Sequence, residues 1–433
     1  MSSISNVQGL FKKYYGDLKD LVPEGGAFDK KMPMDTRKRV GESYVEAVIL
    51  SAETGLTLAG QNAEVLDIQP PVAGAVKQAA VKDYATLVAS TIPFQTLSRS
   101  AERGDQAFVS ASQHVTKNNL KSHKRFLEAI MVHGQSDGKL GYVSYATDTY
   151  RGVSLTNGGG ALNGVAFTAG VNTTSKHIHL HRSFAAGIWV GMEGLPINQL
   201  DSNDNIVASG KLVSVNAEYG YIEVDFTPVA ATGATSHTLA YPGMESDLEA
   251  PGIQKILTNS GTLFEISAAT YSLWKGTEHD VSNAKFDFDE LQDAIAAAVN
   301  RGGLDGDVTC FVNPRTWSTL LQDEAGQRRH TGQMKGGEVK VGADNIRFYG
   351  QAGSVEVVPS TMCKENEAYI LNMESWYRFG SADLSFKVPG ANDDLIFPLQ
   401  NQTGFAFRSY ASQCVFCCMP AKSIYVKNID DEA

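Results

Sequence analysis

The stretch that decides the fold is "DELQDAIAAAVNRGGLDGDVTCFVNPRTWSTLLQDEAG", residues 289–326. Its first half has apolar residues at helical spacing, which marks one buried helix face. These residues are Leu291, Ile295, Ala298 and Val299. The pair Gly302-Gly303 predicts the end of this helix, because glycine readily adopts the left-handed conformation that closes a helix.

The second half predicts a short apolar strand over residues 308–312 that turns directly into another helix. Asn313 is placed to cap the helix, and Pro314 fills the first turn, where no backbone N–H is needed. The buried side would carry Trp317, Leu320 and Leu321. This stretch holds no nucleophile, metal cluster or phosphate-binding loop, so we interpret its order as architectural.

Composition predicts a globular protein of two or three folding units. The chain has 433 residues, of which 42% are hydrophobic and 20% charged, as in ordinary globular domains. No apolar run reaches the 18 or so residues of a membrane helix, and the N-terminus has no uninterrupted apolar signal core. We expect a soluble protein that stays in the cytosol.

The net charge of -11 argues against nucleic acid as the main ligand, because phosphate binding needs clustered cations. The first forty residues are a local exception, in which basic residues outnumber acidic ones. These basic residues are Lys12, Lys13, Lys19, Lys30, Lys31, Arg37, Lys38 and Arg39. Such an arm could touch nucleic acid or an acidic neighbour, or it could be a solvated terminal segment.

The five cysteines are too few and too unevenly placed for a secreted disulfide framework. They are Cys310, Cys363, Cys414, Cys417 and Cys418. The last three form "CVFCC", which contains a CxxC spacing but lies in an alternating pattern typical of a long strand, residues 405–420. Because no second cysteine pair lies near it, we favour buried free thiols over a zinc or redox site.

"SKHIHLHRS", residues 175–183, is the strongest candidate for a metal site. On a strand, His177, His179 and His181 would project from one face. No Asp, Glu or Cys is interleaved with them, so a polar strand face opposite Ile178 and Leu180 is the favoured explanation, and no acid-base constellation surrounds these histidines. The sequence therefore gives no positive case for catalysis.

Four further segments have recognisable patterns. Residues 44–60 predict an extended hairpin, residues 72–90 a helix, and residues 105–134 a long helix ended by Gly134. The polar middle of the long helix, residues 116–125, suggests that the helix lies on one layer with its back exposed. Residues 165–242 alternate like short strands, with a hairpin at 215–224, and predict an inserted small β-barrel or sandwich.

Taken in order, these segments resemble the major capsid proteins of tailed bacteriophages, which have the Hong-Kong-97-type fold. "KRFLEAIMVHGQSDGKLGYV" (124–143) resembles the end of that family's spine helix, and residues 289–327 resemble its axial-domain helix-strand-helix. "GIQKILTNSGTLFEISAATYSLWKG" (252–276) resembles the segment that connects them. "AYILNMESWYRF" (368–379) and "LSFKV" (384–388) resemble the returning strands.

The resemblance implies an α+β fold divided into the parts of that family. The implied parts are an N-terminal arm (1–40), an extended hairpin loop (41–70), a peripheral domain (71–164) with a spine helix (105–134), an inserted β domain (165–242), a return to the peripheral domain (243–285), an axial domain (286–365) and closing strands of both domains (366–433).

It also implies a structural subunit without enzymatic activity or cofactor. Copies would assemble as hexamers and pentamers into an icosahedral shell around phage double-stranded DNA, in a virion built in the host cytoplasm. Implied partners are scaffold, portal and possibly decoration proteins, with no membrane. Implied assembly contacts are Lys12, Lys13, Arg37, Arg39, Tyr44, Glu53, Arg125 and Trp317.

One departure from the family bears on how the subunits are expected to be joined to each other. Some members join their subunits by an isopeptide bond from a hairpin lysine, but residues 41–76 contain no lysine. We therefore expect a shell held by non-covalent contacts. Two alternatives stay open: an encapsulin-like bacterial compartment, and a metal-dependent enzyme that uses His177, His179 and His181.

Overall fold

The computed structural model describes residues 26–35, 39–40, 43–58, 68–93, 105–134, 139–145, 149–151, 153–155, 161–233, 237–242, 248–322, 346–386, 396–399 and 403–431. The helices of these residues are α1 (Asp105–His133), α2 (Ala186–Trp189), α3 (Ile253–Leu257), α4 (Phe288–Gly302) and α5 (Pro314–Gln322). Single 3-10 turns lie at Asp29–Lys31, His181–Ser183, Met373–Ser375 and Pro420–Lys422.

The strands up to the end of the predicted insert are β1 (Met34–Asp35), β2 (Arg39–Val40), β3 (Ser43–Ile49), β4 (Val76–Val81), β5 (Tyr84–Pro93), β6 (Lys139–Tyr142), β7 (Thr149–Tyr150), β8 (Val153–Ser154), β9 (Ala161–Leu162), β10 (Val165–Ala166), β11 (Val171–Asn172), β12 (His177–His179), β13 (Pro196–Leu200), β14 (Ile206–Asn216), β15 (Tyr221–Val224) and β16 (Thr238–Ala240). The later strands are β17 (Thr262–Leu263), β18 (Ile266–Ser267), β19 (Thr277–Ala284), β20 (Val308–Val312), β21 (Ile346–Tyr349), β22 (Ser354–Pro359), β23 (Ala368–Leu371), β24 (Trp376–Ser385), β25 (Ile396–Pro398), β26 (Gly404–Cys417) and β27 (Ile424–Ile429).

The predicted helix-strand-helix unit is confirmed, and it packs into a six-stranded mixed sheet of order β19-β27-β23-β20-β22-β21. Asp287 caps α4 by accepting the Glu290 N–H at 2.9 Å, and Gly303 ends it with a φ of 59°. Asn313 accepts the Arg315 N–H at 3.0 Å and so caps α5, whose first residue is Pro314. Local side-chain chemistry therefore sets both helix boundaries.

A second sheet, of order β1-β24-β26-β25 with β5 also on β26, carries α1. The long strand predicted near residue 405 is confirmed as β26. The end of α1 at His133 is also confirmed. Gly134 permits a close approach there, because a Cβ atom at this position would lie 2.2 Å from the Ala250 carbonyl oxygen.

The polar middle of α1 has the exposed back that was expected, at Lys117 and Asn118, but Asn119, His123 and Arg125 are buried. The Asn119 amide donates to the Val88 carbonyl oxygen at 3.2 Å. The two ring nitrogens of His123 lie 2.9 Å from Thr86 Oγ1 and 2.7 Å from Ser409 Oγ. Buried polar groups are tolerated where they find hydrogen-bond partners. For Asn119 and His123 these partners lie on β5 and β26.

The helix predicted over residues 72–90 is also wrong, because the chain forms β4 and β5 there. β4 pairs with β3 from Tyr44–Val81 to Ile49–Val76, and β5 pairs with β26. The hairpin predicted over residues 44–60 is wrong in its second strand, because β3 pairs with β4, and the described part of this hairpin arm is residues 43–58 and 68–81. Helix-like spacing was overridden by strand partners that are distant in sequence.

The region of the predicted insert is β-rich, but its strands form one antiparallel sheet of seven, ordered β11-β12-β15-β14-β13-β16-β6. The hairpin at 215–224 is confirmed, with Val215 opposite Ile222. The sheet reaches beyond the expected bounds, because β6 lies before residue 165 and pairs with β16. Among the residues described, these strands do not form the expected barrel or two-sheet sandwich.

The seven-stranded sheet shares a hydrophobic core with the rest of the chain. Trp189 and Ile197 from this region belong to the same buried cluster as Val132 of α1 and Phe311 of β20. The division into domains at residues 165 and 242 stays a prediction. The packing shows that the two sides of that division bury each other's apolar surface.

Residues 26–35, which we name the N-terminal strap, cross α1 and both neighbouring sheets. The backbone N–H groups of Gly26 and Phe28 donate to the buried Glu128 carboxylate of α1, the second at 3.1 Å. Asp29 lies 2.7 Å from the Arg378 guanidinium of β24. The strap is thereby tied to both α1 and β24.

Candidate assembly surfaces

The hairpin arm between β3 and β4 exposes an unusual set of aliphatic side chains. Six of them are 60–84% exposed: Ile49, Leu56, Leu58, Ile68, Val72 and Val76. Leaving an aliphatic side chain in water forgoes about 1.5–3 kcal/mol of burial free energy. An exposed apolar patch of this kind marks an interaction surface.

Backbone hydrogen bonds join the two sides of the arm beyond its two strands. Leu50 N donates to Ala75 O at 2.8 Å, and Thr54 and Val72 exchange N–H···O bonds of 3.0 and 2.7 Å. Gln69 N also donates to Thr57 Oγ1 at 3.1 Å. The aliphatic side chains therefore project from an ordered ladder.

The base of the arm is anchored in the core of its own subunit. Tyr44 is buried and stacks on Phe379 of β24, with ring centroids 5.5 Å apart. Buried residues of β4, including Ala79 and Val81, join the same hydrophobic cluster. An anchored base and an uncovered distal part are what a protruding contact element requires.

A second apolar surface is a groove of about 500 Å³ beside α1, which we name the α1 groove. Leu87 of β5, Phe126 and Ile130 of α1, and Leu195 and Tyr241 at the ends of β13 and β16 line it. Phe126 and Tyr241 pack edge to face with centroids 5.4 Å apart. Leu87 is 52% exposed at the rim, so the groove presents apolar surface to solvent.

The structure spreads the predicted assembly residues over different environments. Glu53 is exposed on the arm, and Trp317 is half-buried against the core of the mixed sheet. Arg125 is buried and donates to the carbonyl oxygens of Gly187 and Val190, the latter at 2.7 Å. Tyr44 likewise makes internal contacts. Arg39 lies in β2, and Lys12, Lys13 and Arg37 lie outside the described residues. An assembly role for all eight stays a prediction.

The three candidate metal-binding histidines do not share a face. β12 ends at His179, and His181 begins a 3-10 turn with a φ of 49°. His179 is fully buried, its Nδ1 atom lies 2.6 Å from Ser144 Oγ, and burial lowers its pKa to about 3. His177 is half-buried, with Nδ1 2.7 Å from Ser175 Oγ. Among the described residues no group of three His, Cys, Asp or Glu could hold a metal ion.

The cysteines are free thiols, as expected, and four of the five are buried while Cys418 is half-buried. Cys414 and Cys417 lie on β26 three residues apart, so their side chains point to opposite faces of the sheet. They accordingly belong to different hydrophobic clusters. A CxxC spacing on a strand cannot form one chelating pair.

The exposed aliphatics of the arm are the feature that sequence reasoning missed. Residues 49–58 and 68–76 contain a single charged residue, Glu53, and are rich in glycine and proline towards Val76. Aliphatic residues in an uncharged stretch without helical or strand periodicity are the available signal. Burial of Tyr44 and exposure of Leu58 could be separated only by the tertiary packing.

No helix among the described residues is both long and apolar enough to cross a membrane. No family model matches the sequence, and no curated protein matches it. Solved structures do match over almost the whole chain.

The chain is similar to the capsid protein of cyanophage A-1(L), with 9% identity, 99% of each chain covered and a TM-score of 0.52. It is also similar to the capsid of a native GTA particle (8% identity, 99% of each chain, TM-score 0.49). An encapsulin complex from Synechococcus elongatus matches with 6% identity, 99% of this chain, 96% of the other and a TM-score of 0.39. The chain has the Hong-Kong-97-type fold of phage capsid proteins.

Proposed function

We propose that this chain is the major capsid protein of a tailed bacteriophage. Copies assemble as hexamers and pentamers into an icosahedral shell that encloses double-stranded DNA. The observation that carries the proposal is the anchored hairpin arm with six exposed aliphatic side chains. The capsid fold, matched over 99% of the chain, supports it.

The arm supplies the driving force for assembly. Covering its six exposed aliphatic side chains contributes on the order of 10 kcal/mol before the entropic cost of association. The contacts are non-covalent, because the arm has no lysine between residues 41 and 76. Each copy contributes and receives such a contact, so the interface is head-to-tail and closes into rings.

The net negative charge of the chain suits a shell that encloses DNA without recognising its sequence. A protein of net charge -11 has no overall attraction for phosphate. Basic residues of the N-terminal segment, such as Lys12 and Lys13, are the candidates for contact with DNA or with acidic neighbours. Scaffold, portal and decoration proteins are the further partners that such a shell requires.

The direct test is microscopy and sedimentation of the full chain expressed alone. We expect closed shells, tubes or sheets of hexamer-like units. The double variant Leu56→Asp/Leu58→Asp should remain a small species, because two carboxylates would have to be buried at the contact. The matched control is Val213→Asp, which changes a residue 44% exposed on β14. Normal assembly of the double variant would contradict the proposal.

The content of the particles separates a virus shell from an encapsulin-like compartment. A phage shell formed during infection protects double-stranded DNA from nuclease, whereas a compartment holds protein cargo. Nuclease protection and mass spectrometry of purified particles measure the two contents. Protein cargo with no protected DNA would favour the compartment.

A further inference from the structure

The exposed back of α1 carries a row of lysines on a protein that is acidic overall. Lys117, Lys121 and Lys124 are spaced four and three residues apart, so they lie within about 60° of the helix circumference. Lys117 is exposed, and the other two are half-buried. Residues 106–127 contain no Asp or Glu. The row is therefore a local basic surface in a chain of net charge -11.

The N-terminal strap brings a fourth lysine to this row. A Cβ atom added at Gly26 would lie 3.2 Å from Lys124 Nζ and 3.7 Å from Lys30 Cε. The two lysine side chains therefore approach each other beside Gly26, and Lys30 is exposed. We name the four residues the lysine stripe: Lys30, Lys117, Lys121 and Lys124.

The carboxylates beside the stripe do not neutralise it. Asp29 lies 3.1 Å from Lys124 and 2.7 Å from the Arg378 guanidinium. That guanidinium also meets Asp383 at 3.5 Å, so these two carboxylates balance two cations. Among the described residues, no carboxylate forms a salt bridge with the two exposed lysines of the stripe. Positive charge therefore remains at this surface and attracts anions.

The residue types indicate which anion the stripe suits. All four members are lysines. Arginine recognises a single carboxylate or phosphate through a rigid two-pronged contact, whereas lysine is a point charge on a flexible stem. Residues 117–124 contain no Phe, Tyr or Trp that could stack on a base. These features favour the phosphates of a duplex over a single strand or a specific acidic peptide.

The dimensions of the stripe agree with a duplex as partner. Lys117 and Lys124 are about 10 Å apart along the helix axis. A DNA duplex presents one phosphate for about every 1.7 Å of its own axis. The lysines can therefore reach several phosphates at once, without any requirement for base sequence.

We propose that the lysine stripe contacts the phosphate backbone of double-stranded DNA and lies on the inner face of the shell. This inference rests on the proposed function and names the surface that meets the enclosed DNA. Each copy contributes only a few contacts, which offset locally the repulsion between an acidic chain and DNA. Because many copies line the shell, weak contacts add up while each of them stays easy to break.

The first test is the binding of a short fluorescent double-stranded DNA to the unassembled full-length chain, measured by fluorescence anisotropy at several salt concentrations. Lys30→Gln/Lys117→Gln removes the two exposed lysines of the stripe. We expect binding at low salt to weaken about tenfold, and the slope of log affinity against log salt concentration to fall by about two, one for each lost phosphate contact. The matched control Lys211→Gln/Lys285→Gln removes two exposed lysines outside the stripe and should leave the slope unchanged.

Two outcomes of this titration would overturn the proposal. Equal losses in the two double variants would show that net charge, and not the stripe, governs binding. Polyglutamate is the second probe. If it binds more tightly than the DNA at the same ionic strength, and loses its affinity in Lys30→Gln/Lys117→Gln, the stripe would be assigned to an acidic protein instead.

The second test asks which face of the shell carries the stripe. Lys117→Cys is treated with a maleimide attached to a polymer too bulky to enter a closed shell. We expect labelling of the unassembled chain and loss of labelling in closed shells, whereas a small maleimide labels both. The parent chain gives the background from Cys418, which is half-buried. Equal labelling of shells and unassembled chain by the bulky reagent would overturn the inner position.

The failure of this inference is distinguishable from the failure of the proposed function. Normal shells from a chain whose DNA binding does not depend on Lys30 and Lys117 would overturn the stripe and leave the proposed function standing. A chain that forms no shells would overturn the proposed function. The titration of the unassembled chain would still decide whether the stripe binds DNA.

Discussion

The ring of Phe28 stacks on the ring of Phe311, with centroids 4.0 Å apart and planes 23° from parallel. Phe28 belongs to the N-terminal strap and Phe311 to β20, and both are fully buried. Phe28 also meets Tyr369 of β23 edge to face, with centroids 6.3 Å apart. Aromatic contacts thus join the start of the described chain to the centre of the mixed sheet.

Replacing Phe28 by alanine should lower the free energy of unfolding by about 3–5 kcal/mol, because a large cavity forms beside Phe311. Urea denaturation measures the change. Phe397→Ala is the matched control, since Phe397 is 37% exposed and its truncation should cost far less. Equal losses in the two variants would show that the strap is not part of the core.

Stability should fall in weak acid because of two histidines of α1. Burial lowers the pKa of His123 to about 4 and, together with the nearby Lys364, that of His133 to about 4. The pKa of an unfolded histidine is about 6.5. Between these values the unfolded chain binds more protons, so stability is full above about pH 6.5 and is lost as the pH falls towards 4.

Urea midpoints measured between pH 7.5 and 5 test this effect. Between about pH 4 and 6.5, each histidine should change the free energy of unfolding by on the order of 1 kcal/mol per pH unit. His123→Gln should flatten the profile, whereas Asn119→Ala, which removes a buried hydrogen bond of the same helix without removing a titrating group, should keep the slope. An unchanged slope in His123→Gln would contradict the assignment.

Trp189→Ala should destabilise the whole chain, because Trp189 is fully buried in a cluster shared with α1 and β20. We expect a loss of about 3–5 kcal/mol. Hydrogen exchange should show protection falling together in the seven-stranded sheet and in α1. Ile206→Ala, at an exposed residue of the same sheet, is the control. Opening of the sheet alone would establish an independent domain.

Alkylation should distinguish the cysteines. Burial raises the pKa of Cys414 to about 12 and also raises that of Cys417, and the thiolate is the reactive form. Cys418, which is half-buried, should be modified first by iodoacetamide in the folded protein. In urea all five should react. Rapid modification of Cys414 in the folded chain would show that β26 opens.

The sequence by itself determined the elements whose ends are set by neighbouring residues. Asn313 with Pro314 sets the start of α5, and Gly303 sets the end of α4, because helix caps depend on side chains within the same turn. β20 and β26 were likewise identifiable, since their apolar or alternating character is present in the chain. The resemblance to capsid proteins came from the order of these elements.

Tertiary structure alone decided what depends on partners distant in sequence. Residues 76–93 became strands because β3 and β26 pair with them. His123 and Arg125 turned inward because a strand and a carbonyl cluster satisfy their hydrogen bonds. The exposure of Leu58 and the apolar walls of the α1 groove also depend on the packing of several elements. Local sequence patterns indicate which secondary structures a segment can form. Whether a side chain is buried depends on the segments that pack against it.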